Sequence, residues 1–418
     1  MKASPASAED VSGARNEQAL GCLVPQGWRY VRLTSVAKLE SGHTPSRRKP
    51  SYWNGDIPWV SLLDTAGLNG AVISATRNSV TREGIANSSA RLLPAGTVIF
   101  SRTATVGKST VMGCEMATSQ DFANYICGPE VHNHFLVYLF RYMAPEWRKL
   151  MAGSIHNTVY MPVFRVLQVL LPSLAEQVAI AKALSDTDAL IESLEQLLAK
   201  KRQIKQGAMQ ELLTGHRRLP GFTGDWAATT FGDIATVRRG ASPRPIDSPV
   251  WFDENSSVGW VRISDVTHSG MYLRETMQRL SPDGIRNSRP VPRGSLVMTI
   301  CATVGRPVIT DIDSCIHDGF VVFEQPAADV RFLYYQLSAI EREWSRHGQT
   351  GSQMNLNTGL INRTSFRLPK RLDDQAAIAA TLSDLDAELT ALEARIAKTR
   401  LLKQGMAQAL LTGRIRLV

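Results

Sequence analysis

The stretch Lys205-Gln206-Gly207-Ala208-Met209-Gln210-Glu211-Leu212-Leu213-Thr214-Gly215 occurs a second time, little altered, as Lys403-Gln404-Gly405-Met406-Ala407-Gln408-Ala409-Leu410-Leu411-Thr412-Gly413. The offset of 198 residues holds along the chain. Trp28 falls on Trp226, Gly42 on Gly240, Pro45 on Pro243 and Gln177 on Gln375, and Ala104-Thr105-Val106-Gly107 meets Ala302-Thr303-Val304-Gly305. Solenoid units run to a few tens of residues, so a period this long marks a duplicated domain. The molecule should have a pseudo-two-fold axis and two similar surfaces.

The repeated stretch ends a helical pattern in each half. Apolar residues fall at Ile180, Leu184, Ile191, Leu194 and Leu198, with Thr187 in the remaining slot, and again at Ile378, Leu382, Leu385, Leu389, Leu392 and Ile396. Steps alternating four and three residues form a coiled-coil seam, and polar Glu192, Gln196, Lys200 and Lys201 cover the other faces. Ser173 with Glu176 reads as a capping box, and Gly215 suits a left-handed C-cap. Such a helix would reach roughly 60 Å, at about 1.5 Å per residue, and its twin is the matching partner. Antiparallel pairing would make the two helices a spacer with a globular domain at each end. Gly207 and Gly405 cost about 1 kcal/mol each inside a helix; their recurrence predicts close backbone approach of the partner helix.

At 418 residues the chain exceeds one ordinary core. Hydrophobic content of 44% and charged content of 20% indicate folded domains rather than disorder. The net charge of +9 points to a polyanionic partner. No run of about 18 uncharged apolar residues is present, so no membrane helix is expected. Residues 1–22 are polar, have no counterpart in the second half and read as a flexible tail; without an apolar signal core the chain is expected in the cytoplasm. The five cysteines are scattered, which argues against a disulfide framework or structural zinc.

Between the helices, short strands alternate with turns, and three loops per repeat carry polar side chains that read either as candidate DNA contacts or as solvated surface. Strands are expected over Arg29 to Leu39 and Thr230 to Val237. The loop after the first holds Arg47, Arg48 and Lys49 before Tyr52-Trp53, and that after the second holds Arg238, Arg239 and Arg244 before Trp251. Cations beside aromatics suit phosphate contact with base or sugar packing. A second loop carries Arg102, Thr103 and Lys108, with Arg306 at the place of Lys108. A third carries His156 and Asn157, matched by Gln353 and Asn355. Asn and Gln bond adenine edges, and Arg favours guanine. Framework residues match between the copies while loop contents diverge, as a reader of two different half-sites requires.

Catalytic signatures are missing. Gly107-Lys108-Ser109 resembles the end of a phosphate loop, but Arg102 stands where its first glycine belongs. His132-Asn133-His134 has no second cluster at ligand spacing. There is no Pro-Pro dipeptide, hence no amino-methyltransferase pocket, and no G-x-G-x-x-G after a strand. The chain is read as non-enzymatic.

In the order Val24-Pro25-Gln26-Gly27-Trp28, Val31-Arg32-Leu33, Tyr52-Trp53-Asn54-Gly55-Asp56 and Ile57-Pro58-Trp59-Val60, and in both helix endings, the sequence resembles the specificity subunit of Type I restriction–modification systems. The resemblance runs from about Leu23 to Val418. The N-terminal tail lacks a counterpart, and Val258-Gly259-Trp260 lacks the proline of Ile57-Pro58-Trp59. It implies an α+β chain with target recognition domains at 23–172 and 217–371, separated by antiparallel coiled-coil helices at 173–216 and 372–418. Each domain would read half of a bipartite site in double-stranded DNA. The helices would set the spacer and dock two modification subunits, which carry S-adenosylmethionine and methylate adenine. Restriction subunits would add ATP- and Mg2+-dependent translocation and cleavage, leaving this chain without a cofactor. Half-sites on one face of the duplex would lie about one helical turn apart. Two other readings stay open: a coiled-coil scaffold with duplicated protein-binding domains, or a self-sufficient methyltransferase or nuclease with an unrecognised site.

Overall fold

The strand expected over Arg29 to Leu39 is two strands in two different sheets. In the computed structural model, which describes residues 24–151, 157–346 and 356–417, Arg29–Arg32 and Ala37–Ser41 are separated by one helical turn, Leu33–Val36. The turn buries Leu33 and Val36, a spacing of three that suits a helix and not a strand. The second copy breaks in the same way, into Trp226–Thr230, Phe231–Ile234 and Thr236–Arg239, with Thr230 and Asp233 forming a capping box on the turn. Tail residues 1–22 lie outside the described residues.

The chain divides into two compact units, one of residues up to Glu195 with those from Arg395 onward, the other Gln196–Ala394. In the first, Arg29–Arg32 pairs antiparallel with Gln168–Leu171. A five-stranded sheet has the order Ala37–Ser41, Phe122–Cys127, Val98–Ser101, Ser109–Met112, Val72–Ile73, and a three-stranded sheet centres on Trp53–Val60. In the second unit, Trp226–Thr230 pairs with Ser365–Pro369. The five-stranded order recurs as Thr236–Arg239, Phe320–Glu324, Leu296–Thr299, Pro307–Thr310, Tyr272–Leu273, and the small sheet has four strands. The fold is mixed α and β in both units.

Two long helices, Leu174–Thr214 and Leu372–Leu411, each contribute to both units. Their charges are segregated. Apart from Lys182 near its start and Glu211 near its end, the first runs from Asp186, Asp188, Glu192 and Glu195 to Lys200, Lys201, Arg202 and Lys205. The second runs from Asp384, Asp386, Glu388 and Glu393 to Arg395, Lys398, Arg400 and Lys403. Antiparallel alignment sets acid against base. In the first unit Lys403 meets Asp188 at 2.5 Å and Arg400 meets Glu195 at 2.5 Å. In the second, Lys201 meets Glu388 and Arg202 meets Glu393, both at 2.6 Å, and Lys205 pairs with Asp386. Exposed pairs contribute only about 0–1 kcal/mol each. Parallel alignment would oppose like charges at these positions, so the pattern specifies direction more than stability.

The apolar seam is divided between helix and domain. Ile180 and Leu184 are fully buried in the first unit's core beside Leu410 and Leu411, and Ile378 and Leu382 lie in the second's beside Leu212 and Leu213. Ile191, Leu194, Leu392 and Ile396 are buried, whereas Leu198, Leu385 and Leu389 are only half-buried. The repeated glutamine is explained here. Gln177 accepts from His132 N (2.9 Å) and donates to Glu130 O (2.9 Å); Gln375 accepts from Asp329 N and donates to Pro369 O.

Two expectations about the helices need correction. Ser173 Oγ does accept from Glu176 N (3.3 Å), but the Glu176 carboxylate does not return to the cap. It is wholly buried and accepts from Trp28 Nε1 (3.1 Å) and from Arg416 Nε and Nη2 (2.5 and 2.7 Å). The equivalent trio is Trp226, Asp374 and Arg218, more loosely joined, with Arg218 at 3.5 Å from one Asp374 oxygen. Asp374 Oδ1 and Trp226 Nε1 have no hydrogen-bond partner among the described residues. Burial pushes the Asp374 carboxyl above the ordinary range, against Arg218. Second, a Cβ on Gly207 or Gly405 would meet nothing within 4 Å, so no described helix approaches either glycine. Gly215 and Gly413, by contrast, take left-handed φ values of 73° and 70°, as their C-cap positions require.

Candidate nucleic-acid interface

In the first unit the loop after Ala37–Ser41 crosses the segment before Phe122–Cys127 backbone to backbone. A Cβ on Gly42 would stand 2.1 Å from Ser119 O, which excludes any side chain. His43 N donates to Thr118 O (2.9 Å), and the Thr44 hydroxyl donates to Gln120 Oε1 (2.6 Å). Beyond the crossing, the Arg47 guanidinium lies 4.4 Å over the Trp53 ring and 5.5 Å from Trp59. The two indoles meet edge-on at 5.0 Å, and their Nε1 groups donate to Ser46 O and His43 O. Arg47, Arg48 and Lys49 are exposed, and none pairs with a carboxylate among the described residues. This is the charge distribution a phosphate contact needs. Tyr52 is different: it is 4% exposed, so it cannot stack on a base, and its hydroxyl holds Lys49 Nζ at 3.2 Å.

The second unit repeats the crossing with other side chains. A Cβ on Gly240 would lie 2.1 Å from His317 O. Ser242 donates to Asp318 Oδ1 (2.8 Å), Arg244 Nη2 to Asp318 Oδ2 (3.2 Å) and Arg239 Nε to Asp318 O (2.7 Å). Arg238 pairs with Glu324 at 2.8 Å. Trp251, half-buried, donates to Pro245 O. The three arginines are therefore engaged within the unit, two with carboxylates and one with a backbone carbonyl, whereas Arg47, Arg48 and Lys49 of the first unit meet no carboxylate among the described residues. Burial disfavours ionising Asp318, but the Ser242 hydroxyl, Arg244 and His317 outweigh it and hold its carboxyl below the ordinary range.

The repeated Ala-Thr-Val-Gly string is a tight turn. Ala104 and Gly107 take φ of 59° and 94°, Ala302 and Gly305 of 57° and 86°. Each turn lies against a buried indole, Trp147 or Trp344. Lys108 Nζ donates to Thr65 O (3.2 Å) and Arg306 Nη2 to Ser269 O (3.4 Å), so both tie this turn to the neighbouring segment. Arg102 is a clamp: Nε and Nη2 hold Gln120 O at 2.9 and 2.6 Å, and burial lowers its pKa against the pull of Asp121 and Tyr160. Thr103 bridges to Thr158. Asn157 is exposed, with φ of 48°. His156, Gln353 and Asn355 lie outside the described residues. The crossing partners Gln120 and Asp318 went unseen in the sequence, although they too are 198 residues apart.

Among the described residues no three His, Cys, Asp or Glu side chains are grouped to hold a metal ion, and no helix is long and apolar enough to cross a membrane. Burial pushes the Cys127 and Cys315 thiols up to about 12, leaving them protonated at neutral pH.

Each unit is thus a mixed α/β module closed by a long helix and fitted with its own set of polar loop side chains. The model of the Type I restriction modification DNA specificity domain matches the chain twice, over residues 25–205 and 223–399, and the chain belongs to that family. It is 25% identical over 261 residues to the Type I restriction enzyme MjaIX specificity subunit of Methanocaldococcus jannaschii, a match covering 57% of this chain and 58% of that subunit. Against the MjaVIII specificity subunit of the same organism, identity is 23% over 425 residues, 95% of each chain. The crystal structure of the HsdS subunit from Thermoanaerobacter tengcongensis has the same fold, with a TM-score of 0.54 at 19% identity, over 96% of this chain and 100% of that one.

Proposed function

We propose that this DNA-specificity subunit reads a bipartite double-stranded target, one half-site per unit, and does no chemistry itself. The observation that carries the reading is the loop crossing built twice on the same glycine, with Thr44, Gln120 and open Arg47 and Arg48 in one copy and Ser242, Asp318 and engaged Arg244 in the other. One scaffold with two side-chain sets suits two different sequences. Cations of the first unit hold phosphates, and polar groups at the crossings meet base edges.

The helices serve as the docking surface for two modification subunits, which supply S-adenosylmethionine and transfer methyl to adenine; restriction subunits supply ATP- and Mg2+-dependent translocation and cleavage in the cytoplasm. The open space over Gly207 and Gly405 supports the docking role, since a helix-interior glycine is costly and nothing described within the chain requires these two. The paired helices fix the unread spacer.

Exchange of the segment Ser41 to Asp56 tests the half-site assignment. In complex with modification subunits, the exchanged chain should methylate sites altered in one half only. If both halves stay unchanged, that segment does not read DNA.

A further inference from the structure

The reading of half-sites at the two loop crossings leaves open which side chains select the base. We infer that Gln120 and Asp318 are base-selecting residues of opposite hydrogen-bond polarity: Gln120 donates to an acceptor on its half-site, and Asp318 accepts from an exocyclic amino group on the other. This rests on the half-site reading proposed above.

The two residues occupy the same place in the repeat, 198 positions apart, beside the glycine whose missing side chain permits the crossing. In both copies a hydroxyl from the opposite strand of the crossing holds them: Thr44 on Gln120 Oε1 at 2.6 Å and Ser242 on Asp318 Oδ1 at 2.8 Å. An arginine fixes the backbone carbonyl of each, Arg102 at Gln120 O and Arg239 at Asp318 O. Scaffold and hydroxyl are kept and an arginine reaches each carbonyl from a different strand, Ile300 and Ser41 standing at the equivalent positions, while the terminal group changes from amide to carboxylate. That is the pattern of a variable reader on a fixed mount.

The polarity follows from what each side chain has left. Gln120 is exposed and its Oε1 is held by Thr44, so its outward group is the amide NH2, a donor. Donors suit purine N7, guanine O6 or thymine O4. Asp318 has no donor at all. Its side chain is 42% exposed; Ser242 takes one lone pair of Oδ1 and Arg244 one of Oδ2, a second lone pair remains on each oxygen, and phosphates repel the carboxylate. The partners that DNA offers an acceptor in the major groove are cytosine N4 and adenine N6 amino groups.

The test is modified-base sequencing of DNA from cells expressing the full chain with its modification subunits, for wild type, Asp318→Asn and Gln120→Glu. Each variant should lower base preference roughly tenfold at one position of its own half-site, or switch it, leaving the other half intact. Unchanged preference in both variants overturns the assignment, as does a uniform loss at all sites with base identity retained, the mark of a purely structural role. If Asp318→Asn abolishes methylation altogether, Ser242→Ala decides. It removes one of the two side chains that hold the carboxylate, leaving Arg244 on Oδ2, and must relax the same base position for the assignment to stand. A wild-type chain that directs no bipartite motif removes the half-site reading and this assignment together, whereas a bipartite motif insensitive to the variants removes this assignment alone.

Discussion

Replacing Gly207 or Gly405 by alanine should stabilise this chain and weaken its assemblies. Both glycines lie within the long helices, neither has positive φ, and an added Cβ would meet nothing within 4 Å. The methyl group therefore brings no clash, and the substitution removes backbone freedom from the unfolded chain. The gain should be about 1 kcal/mol per site. In a unit of some 200 residues that corresponds to a rise in melting temperature of about 2–4 °C. Gly207 belongs to the second unit and Gly405 to the first, so the two shifts should appear in separate transitions where these resolve. The assay is thermal unfolding of the isolated chain beside size-exclusion binding of the modification subunit. A stabilised variant that binds the subunit less tightly fits the account. A variant that loses stability would refute the claim that the space over these glycines is empty. A variant that gains stability and binds normally would remove them from the docking surface.

Further outcomes follow from the same geometry. Arg416→Ala should lower the urea midpoint of the first unit more than Arg218→Ala lowers that of the second, because Arg416 closes two hydrogen bonds on a wholly buried Glu176 and Arg218 only one long contact on Asp374; equal shifts would contradict this. Arg48→Ala should reduce the salt slope of DNA binding by about one, as the loss of one phosphate contact does, while Arg238→Ala, already paired with Glu324, should leave it nearly unchanged. Burial, with Arg262 adding and Asp318 opposing, holds His317 below the ordinary histidine value. The unfolded chain then binds the extra proton first, so stability of the second unit is intact above about pH 6.5 and falls as the pH drops from there through the folded value. Melting at pH 7.5 and 5.5, with His317→Gln as the control that flattens the difference, checks the sign.

The duplication, the two long helices and the basic first loop were legible because each rests on a local pattern: a fixed offset, a seven-residue period, a run of cations. What escaped depends on contacts distant in sequence. Nothing near Glu176 announces that Trp28 and Arg416, 148 and 240 positions away, will take its carboxylate from the helix cap. The single helical turns at Leu33–Val36 and Phe231–Ile234 are too short to show a period. Tyr52 and Trp53 both suit base or sugar packing by residue type, yet a 3-10 turn over Pro50–Tyr52 turns one ring inward and leaves the other half-buried under Arg47. Lys108 and Arg306 carried the right charge but reach a backbone carbonyl of the neighbouring segment. Gln120 and Asp318 lie in no run of cations, and only the crossing at Gly42 and Gly240 shows what they face.

The central claim is that this chain gives a Type I complex its two-part target. Modified-base sequencing of host DNA, with and without the gene, tests it most directly. The account predicts a bipartite adenine-methylated motif that disappears on deletion and returns when the intact chain is restored. A methylome that keeps every motif after deletion, in a host whose modification subunits are expressed, would contradict it.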